Sequence, residues 1–510
     1  MSASGNFYAA LEAKARATGA GPAIAPPGGA ALSYAGLADD VARMARALER
    51  LGVKAGDRVT AQVDKSIPNV CLYLATLKTG AIFNPLNTAY TAAELDYFVG
   101  DAEPTLVVMP ESKLAQMAKR AAGVAYASME ADGTGSLLEA ARGQSADYAT
   151  RERDTDDIAA LLYTSGTTGR SKGAMITHGN LSSNAHALHK IWDFRPGDVL
   201  LHALPIFHVH GLFVALHTAM LNGSKMLWLD KFDLAEVLRL LPEATVMMGV
   251  PTFYTRLLAQ PEFGTAMCRN MRLFISGSAP LLAETHREFE ARTGQRILER
   301  YGMTEAGMIT SNPCVGGERV AGTVGYALPD VSLRVVDENK RVLGAGEVGV
   351  LEVKGPNVFK GYWRNPEKTR EDFREDGYFI TGDMATMAAD GRVTIVGRAK
   401  DLIITGGFNV YPKEVEGEIN SLPGVAESAV VGVPHPDFGE GIVAVLTPLP
   451  GQALPSEDEV LKSLSTRLAK FKLPKRVFAV DALPRNAMGK VQKNELSARY
   501  RETFKVAAKR

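Results

Sequence analysis

The stretch at residues 158–173 constrains this chain more than any other. Residues 158–162 (IAALL) are apolar and read as a strand, and residues 163–173 (YTSGTTGRSKG) follow at once. Ser165, Thr167 and Thr168 offer hydroxyls. Gly166, Gly169 and Gly173 let backbone N–H groups turn onto an anion, and Lys172 adds a mobile cation. It is not a Walker A loop, because Ser171 precedes Lys172 and Gly173 follows it. Composition alone fits a surface linker equally well. The strand before it favours a polyphosphate cradle, since α/β folds place ligands where strands run out into loops.

The rest of the chain keeps the same rhythm. Residues 30–52 carry Tyr34, Leu37, Val41, Met44, Ala45, Leu48 and Leu51 at helical spacing. Residues 57–63 read as a strand and 67–79 as a helix. Further β-rich runs at 106–110, 226–229 and 244–250 alternate with helices, which predicts an α/β fold with largely parallel sheets. From 331 to 353 short alternating strands with Gly-rich turns predict a β-rich subdomain. A chain of 510 residues exceeds one ordinary core. The boundary is placed near Lys400 and Asp401, giving residues 1–399 as a large N-terminal domain and 400–510 as a small α+β domain.

Composition removes several classes of function. Lys+Arg and Asp+Glu both total 57, so no electrostatic footprint for nucleic acid or an anionic membrane exists. Cys71, Cys268 and Cys314 are odd in number and lack His companions, which argues against a disulfide framework or zinc site. With no apolar run near the ~20 residues of a membrane span and no signal-type start, the cytoplasm is the expected location.

Residues 163–173 resemble the signature of adenylate-forming enzymes, the superfamily of acyl-CoA synthetases, luciferases and peptide-synthetase adenylation domains. Companion segments follow in family order over about residues 32–491: LPIFHVHGL (204–212), GVPTFYTRL (249–257), ISGSAPL (275–281), ERYGMTEAG (299–307), YFITGDMA (378–385), GRAKD (397–401), GGFNVYPKEVE (406–416) and LPRNAMGKVQKNEL (483–496). The resemblance implies an AMP-forming acid–thiol ligase using ATP, CoA and Mg²⁺. It implies that Thr164, Ser165, Gly166, Thr167, Thr168 and Lys172 hold ATP phosphates. Ser278 lines the acid site and also lies near the adenine, where Tyr301 packs, and Asp383 and Arg398 lie by the ribose. Thr304 donates to the α-phosphate, Glu305 binds the metal, and His208 stands beside the substrate carboxylate, with His210 left open. Lys490 bridges carboxylate and α-phosphate in the first half-reaction. The small domain rotates about Lys400 and Asp401, so that Gly406 and Gly407 admit the pantetheine arm. Relatives acetylated on the final lysine imply a lysine acetyltransferase as a partner acting on Lys490.

One residue departs from the usual pattern. Arg300 stands where related synthetases commonly have Gly before the Tyr. A guanidinium at the end of an acyl pocket is costly unless an anion meets it, and a carboxylate is its best partner. Either the substrate carries a second carboxylate, or Arg300 points outward or pairs with Glu299 or Glu305. Arg256 and Arg287 are reserve candidates. Around ERYGMTE and HVHGL the pattern resembles malonyl-CoA synthetases, which implies malonate, with methylmalonate or succinate open. The alternatives are a ligase for another short or medium acid and a nucleotide-binding protein without turnover.

Overall fold

In the helix Tyr34–Arg50 the residues buried include Tyr34, Leu37, Val41, Met44, Ala45 and Leu48, the stripe its spacing sets out. Ser33 caps it by accepting from the Gly36 N–H at 3.1 Å. The helix Ile67–Lys78 starts with Ser66 as cap and Pro68 in its first turn. The computed structural model describes residues 5–117, 123–164, 171–406, 408–486 and 489–504.

Two large sheets carry the N-terminal part. One has six strands in the order Ala125–Ser128, Leu106–Met109, Arg58–Ala61, Ile82–Pro85, Ile158–Thr164 and Lys172–Thr177. All its neighbours are parallel except the last pair, where Thr164 faces Lys172 across an antiparallel ladder. The strand that begins at Lys172 therefore runs back along the one that ends at Thr164. The other sheet has nine strands, parallel from Pro22–Ala25 through Lys225–Trp228, Val199–His202, Val246–Gly249 and Leu273–Ser276 to Leu298–Met303. Its outer strands, Gly307–Ser311 and Tyr326–Ala327 on one side and Leu32–Ser33 on the other, are antiparallel. One continuous apolar core runs through residues of both sheets.

The β-rich stretch anticipated at 331–353 is half of a four-stranded antiparallel sheet: Ser332–Val336, Gly349–Lys354, Phe379–Met387 and Val393–Arg398. Beyond the short turn Ala399–Asp401 a five-stranded sheet is built from Ile403–Thr405, Phe408–Val410, Val425–His435, Gly439–Pro448 and Arg476–Ala479. Its two faces bury their own apolar clusters, one with Val415, Ile419 and Leu464, the other with Leu483 and Leu496. Among the described residues no helix is long and apolar enough to cross a membrane.

Buried imidazoles make this core sensitive to mild acid. His178 accepts from the Phe7 N–H through Nδ1 at 3.2 Å, and His217 lies 2.8 Å from the Tyr73 hydroxyl. Burial holds them down to about 4 and about 3. These folded values lie below the ordinary histidine value, so between them the unfolded chain binds the extra proton and stability falls as pH falls. Each imidazole removes about 1.4 kcal/mol per pH unit over that window. Glu299, pushed up to about 7 by burial, works the other way with a single proton. Thermal melts should show Tm dropping steadily from pH 6.5 to 4.5, less steeply in His217→Gln.

Candidate active site

The carboxyl ends of the central parallel strands converge on Arg300. It lies in the strand Leu298–Met303, is 3% exposed, and leaves Nε and Nη2 without any hydrogen-bond partner. No ion pair joins it to Glu299 or Glu305 among the described residues. Glu299 instead accepts from the Leu281 N–H through Oε1 at 3.4 Å and leaves Oε2 unpartnered. Arg300 thus neither points outward nor is held by an internal acid. Its guanidinium lies against Gly277, where a Cβ would stand 2.4 Å from Cζ. Any other residue at 277 would displace it.

Around this cation stand groups that cannot neutralise it. Burial, then the Arg300 charge, pulls the His208 imidazolium down to about 4, and the same causes push His210 well below its ordinary range. His210 Nδ1 is 3.1 Å from the Ser278 hydroxyl, and its Nε2 has no partner. Ser278 takes φ +70°, the left-handed conformation, which serine adopts at a cost of ~1–2 kcal/mol. Arg300 itself is lowered to about 9 by burial. The result is a cluster of two neutral imidazoles, one hydroxyl and an unsatisfied guanidinium, which is the donor set for a carboxylate. The structure brings His208, Ser278 and Arg300 together and adds His210.

The reserve arginines lie elsewhere. Arg287 pairs with Glu284 at 3.3 Å on an exposed helix face, so it is no pocket residue. Arg256 lies in the helix Pro251–Leu258 with its guanidinium 5.8 Å from the Phe232 ring. It lines a separate cavity of about 310 Å³ with Leu204, Thr252 and, from the far side, Arg485 and Gly489.

A second group lies where the strand Leu298–Met303 turns into Gly307–Ser311. Thr304 is half-buried in that turn. Next to it Glu305 is buried, and its Oε1 accepts from the Tyr362 hydroxyl at 3.3 Å. Burial raises its pKa. Lys172 Nζ lies 5.5 Å from the Tyr362 ring, so one tyrosine links the loop lysine to the acid. Tyr362 belongs to the segment VKGPNVFKGYW, which reads in sequence only as packing aromatics. Tyr301 donates its hydroxyl to Asp383 Oδ2, and Arg398 Nε meets Asp383 Oδ1 at 2.8 Å. Asp383 and Arg398 therefore stand together, with Tyr301 on the other carboxylate oxygen. Thr164 lies at the strand end facing Lys172. Ser165, Gly166, Thr167, Thr168 and Gly407 lie outside the described residues.

Lys490 approaches from the small domain. Its N–H donates to Asn486 Oδ1 at 3.0 Å, its carbonyl accepts from the Asn486 N–H at 2.9 Å, and Arg485 pairs with Glu427 behind the turn. Asn486, a departure from many relatives that the sequence gives no reason to weigh, is what closes the lysine turn. The side chain opens onto the cleft, yet the walls strip enough solvation, with Arg398 adding repulsion, to pull its ammonium down to about 8. Gly406, at φ +58°, donates its N–H to the Phe438 carbonyl at 2.8 Å and sits on the outer face between exposed Ile404 and Phe438.

Residues 11–363 match the AMP-binding enzyme family and residues 414–490 the AMP-binding enzyme C-terminal domain. A feruloyl-CoA synthase from Amycolatopsis sp is 37% identical over 481 residues, 93% of this chain and 95% of that protein. A malonate–CoA ligase from Arabidopsis thaliana is 35% identical over 482 residues, 88% of this chain and 79% of that protein. ATP-bound MatB from Rhodopseudomonas palustris is 54% identical and superposes with a TM-score of 0.96 over 99% of this chain and 100% of its own. The apo form of MatB gives 0.85 at the same identity and coverage.

Proposed function

Because the chain belongs to the AMP-binding enzyme family and is an AMP-forming acid–thiol ligase, we propose that its acid is malonate and its product malonyl-CoA. The observation that carries this is the buried Arg300 guanidinium, two of its nitrogens unpaired, close enough to His208 and His210 to hold both imidazoles neutral, with Ser278 on His210. A monocarboxylic acid would leave that charge buried and unmet, at a cost of several kcal/mol. A second carboxylate turns the same group into a bidentate partner. The relative named as a malonate–CoA ligase supports the same choice.

In this reading the reacting carboxylate attacks the α-phosphorus of ATP, forming the acyl–phosphate bond and releasing pyrophosphate. The CoA thiol then displaces AMP, a far better leaving group than hydroxide. Lys172 and the hydroxyls of residues 164–168 receive the β- and γ-phosphates. Asp383, fixed by Tyr301 and Arg398, accepts from the ribose hydroxyls, and Thr304 donates to the α-phosphoryl oxygen. Lys490 supplies a point charge where negative charge builds. Glu305 suits Mg²⁺, since that ion takes one or two carboxylates plus substrate phosphates, and a desolvated carboxylate gains from a cation. Bound there, the ion would neutralise phosphoryl charge. Gly406 lies on the face that would meet pantetheine once the small domain turns about Lys400 and Asp401.

The test is acid-dependent AMP formation with ATP, Mg²⁺ and CoA across malonate, methylmalonate, succinate, acetate, octanoate and ferulate. Malonate should give the highest kcat/KM, by about tenfold or more over every monocarboxylic acid. A lead for ferulate, octanoate or acetate would overturn the malonate reading and leave the ligase class standing.

A further inference from the structure

Behind the acid pocket runs a chain of buried polar contacts that the reaction itself does not use. Lys65, in the turn between the strand Arg58–Ala61 and the helix Ile67–Lys78, is buried. Its Nζ lies 3.0 Å from His202 Nδ1, 2.9 Å from the His202 carbonyl oxygen and 2.5 Å from the Leu229 carbonyl oxygen. The Trp228 ring centroid is 4.2 Å away. His202 ends the strand Val199–His202, and its Nε2 is 3.0 Å from the Gly211 carbonyl oxygen. Gly211 follows His210 directly, in the wide helical turn His210–Leu216. A Cβ at Gly211 would stand 2.0 Å from the Pro205 carbonyl oxygen, so residues 205–211 form a closed loop with no slack.

The acceptors dictate where the protons are. A carbonyl oxygen can only accept, so His202 Nε2 carries the hydrogen that reaches Gly211. Burial and the neighbouring Lys65 hold the His202 imidazole neutral. Nδ1 is then an acceptor, and Lys65 is its donor. Burial pulls the Lys65 ammonium well below its ordinary value, with Asp230 opposing; Nδ1 and the two carbonyl oxygens nonetheless place three acceptors around Nζ, and only the ammonium has three hydrogens to meet them. A methionine would fill the same volume without the cost of burying an amine. What lysine adds is a defined tautomer at 202.

We propose that Lys65 and His202 are positioning residues for the acid pocket: Lys65 fixes the Nε2–H tautomer of His202, and that hydrogen anchors Gly211 so that His208 and His210 stand opposite Arg300. The proposal rests on the reading of that pocket as the acid site. It joins the turn after a strand of the six-stranded sheet to the end of a strand of the nine-stranded one, so pocket geometry depends on how the two sheets meet.

Steady-state kinetics with whichever acid the unaltered chain turns over best separate positioning from packing. Lys65→Met and His202→Leu should raise KM for the acid about tenfold or more while KM for ATP stays within about twofold. His202→Gln, whose amide can accept from Lys65 and donate to Gly211, should stay within about threefold of the unaltered chain. Equal rises in both KM values, an unchanged KM for the acid, or a Gln variant as impaired as the Leu variant would overturn the proposal. Should the disrupting variants fail to fold, ¹⁵N-histidine spectra of the unaltered protein decide, with the His202 signal assigned by its loss in His202→Gln. An Nε2–H tautomer supports the relay; an Nδ1–H tautomer or an imidazolium sinks it. Failure of the pocket reading is distinguishable, because Arg300 substitutions would then leave KM for the acid unchanged while the tautomer result stands.

Discussion

Lys490→Gln is expected to slow acyl-adenylate formation by about 10³-fold or more, while thioester formation from supplied acyl-adenylate and CoA stays within about tenfold of the unaltered chain. The lysine turn is closed by Asn486 and presents one ammonium to a cleft already holding Asp383, Asp401, Arg398 and Lys400. That charge meets the negative charge building on the α-phosphoryl group in the first half-reaction; when CoA displaces AMP the phosphate takes up charge again, but in this reading the small domain has by then turned about Lys400 and Asp401 and carried Lys490 away. Pyrophosphate release measures the first step, and CoA-thioester formation from malonyl-AMP the second. Equal loss of both would mean that Lys490 serves the fold or both reactions. Glutamine carries a neutral amide in place of the ammonium, so the variant reads the loss of that charge alone. The ammonium sits at about 8 in the free enzyme. Its protonated form is the active one, so kcat/KM for ATP should fall as pH rises through about 8, and Lys490→Arg should move that limb upward. The polyanion, once bound, stabilises the ammonium, so the limb in kcat should lie higher.

Elements whose pattern is local were legible in the sequence. The stripe in residues 34–48 needs only a helical period to be read, and the runs at 158–162 and 244–250 only their apolarity. Arg300 stood out because an arginine inside an otherwise pocket-forming segment has a cost that must be met somewhere. What could not be read rests on partners distant along the chain. Tyr362 reaches Glu305 and Lys172 only because the segment after the strand Gly349–Lys354 pairs along the strand Lys172–Thr177. His210 had to be left open beside His208, because its partner Ser278, 3.1 Å away, is far along the sequence. Arg287 had the right charge and lost its candidacy to an acid three residues away on the same helix. Asn486 gave no signal because its work is to bond the backbone of its own turn.

The acid pocket makes a second expectation with a large effect. Replacing Arg300 by Gly should lower kcat/KM for malonate by about 10²- to 10³-fold, the loss of a bidentate charged contact of ~3–4 kcal/mol. Turnover of acetate or octanoate should hold or rise, since the desolvated guanidinium no longer opposes an apolar chain. Gly277→Ala should act in the same direction, because its methyl group would occupy the place of Cζ. Stability supplies an independent reading. In the absence of substrate the unpaired Arg300 is a buried ion with nothing to offset its desolvation, so Arg300→Met should leave Tm unchanged or raise it even as malonate activity is lost. A structural arginine predicts the reverse: Tm falls, and all acids lose activity in proportion. Malonate itself should raise Tm of the unaltered chain and fail to do so for Arg300→Met, because only the former holds the cation that the second carboxylate meets. Thermal melts with and without malonate, beside the acid panel for both proteins, therefore separate a pocket cation from a core one without relying on activity alone.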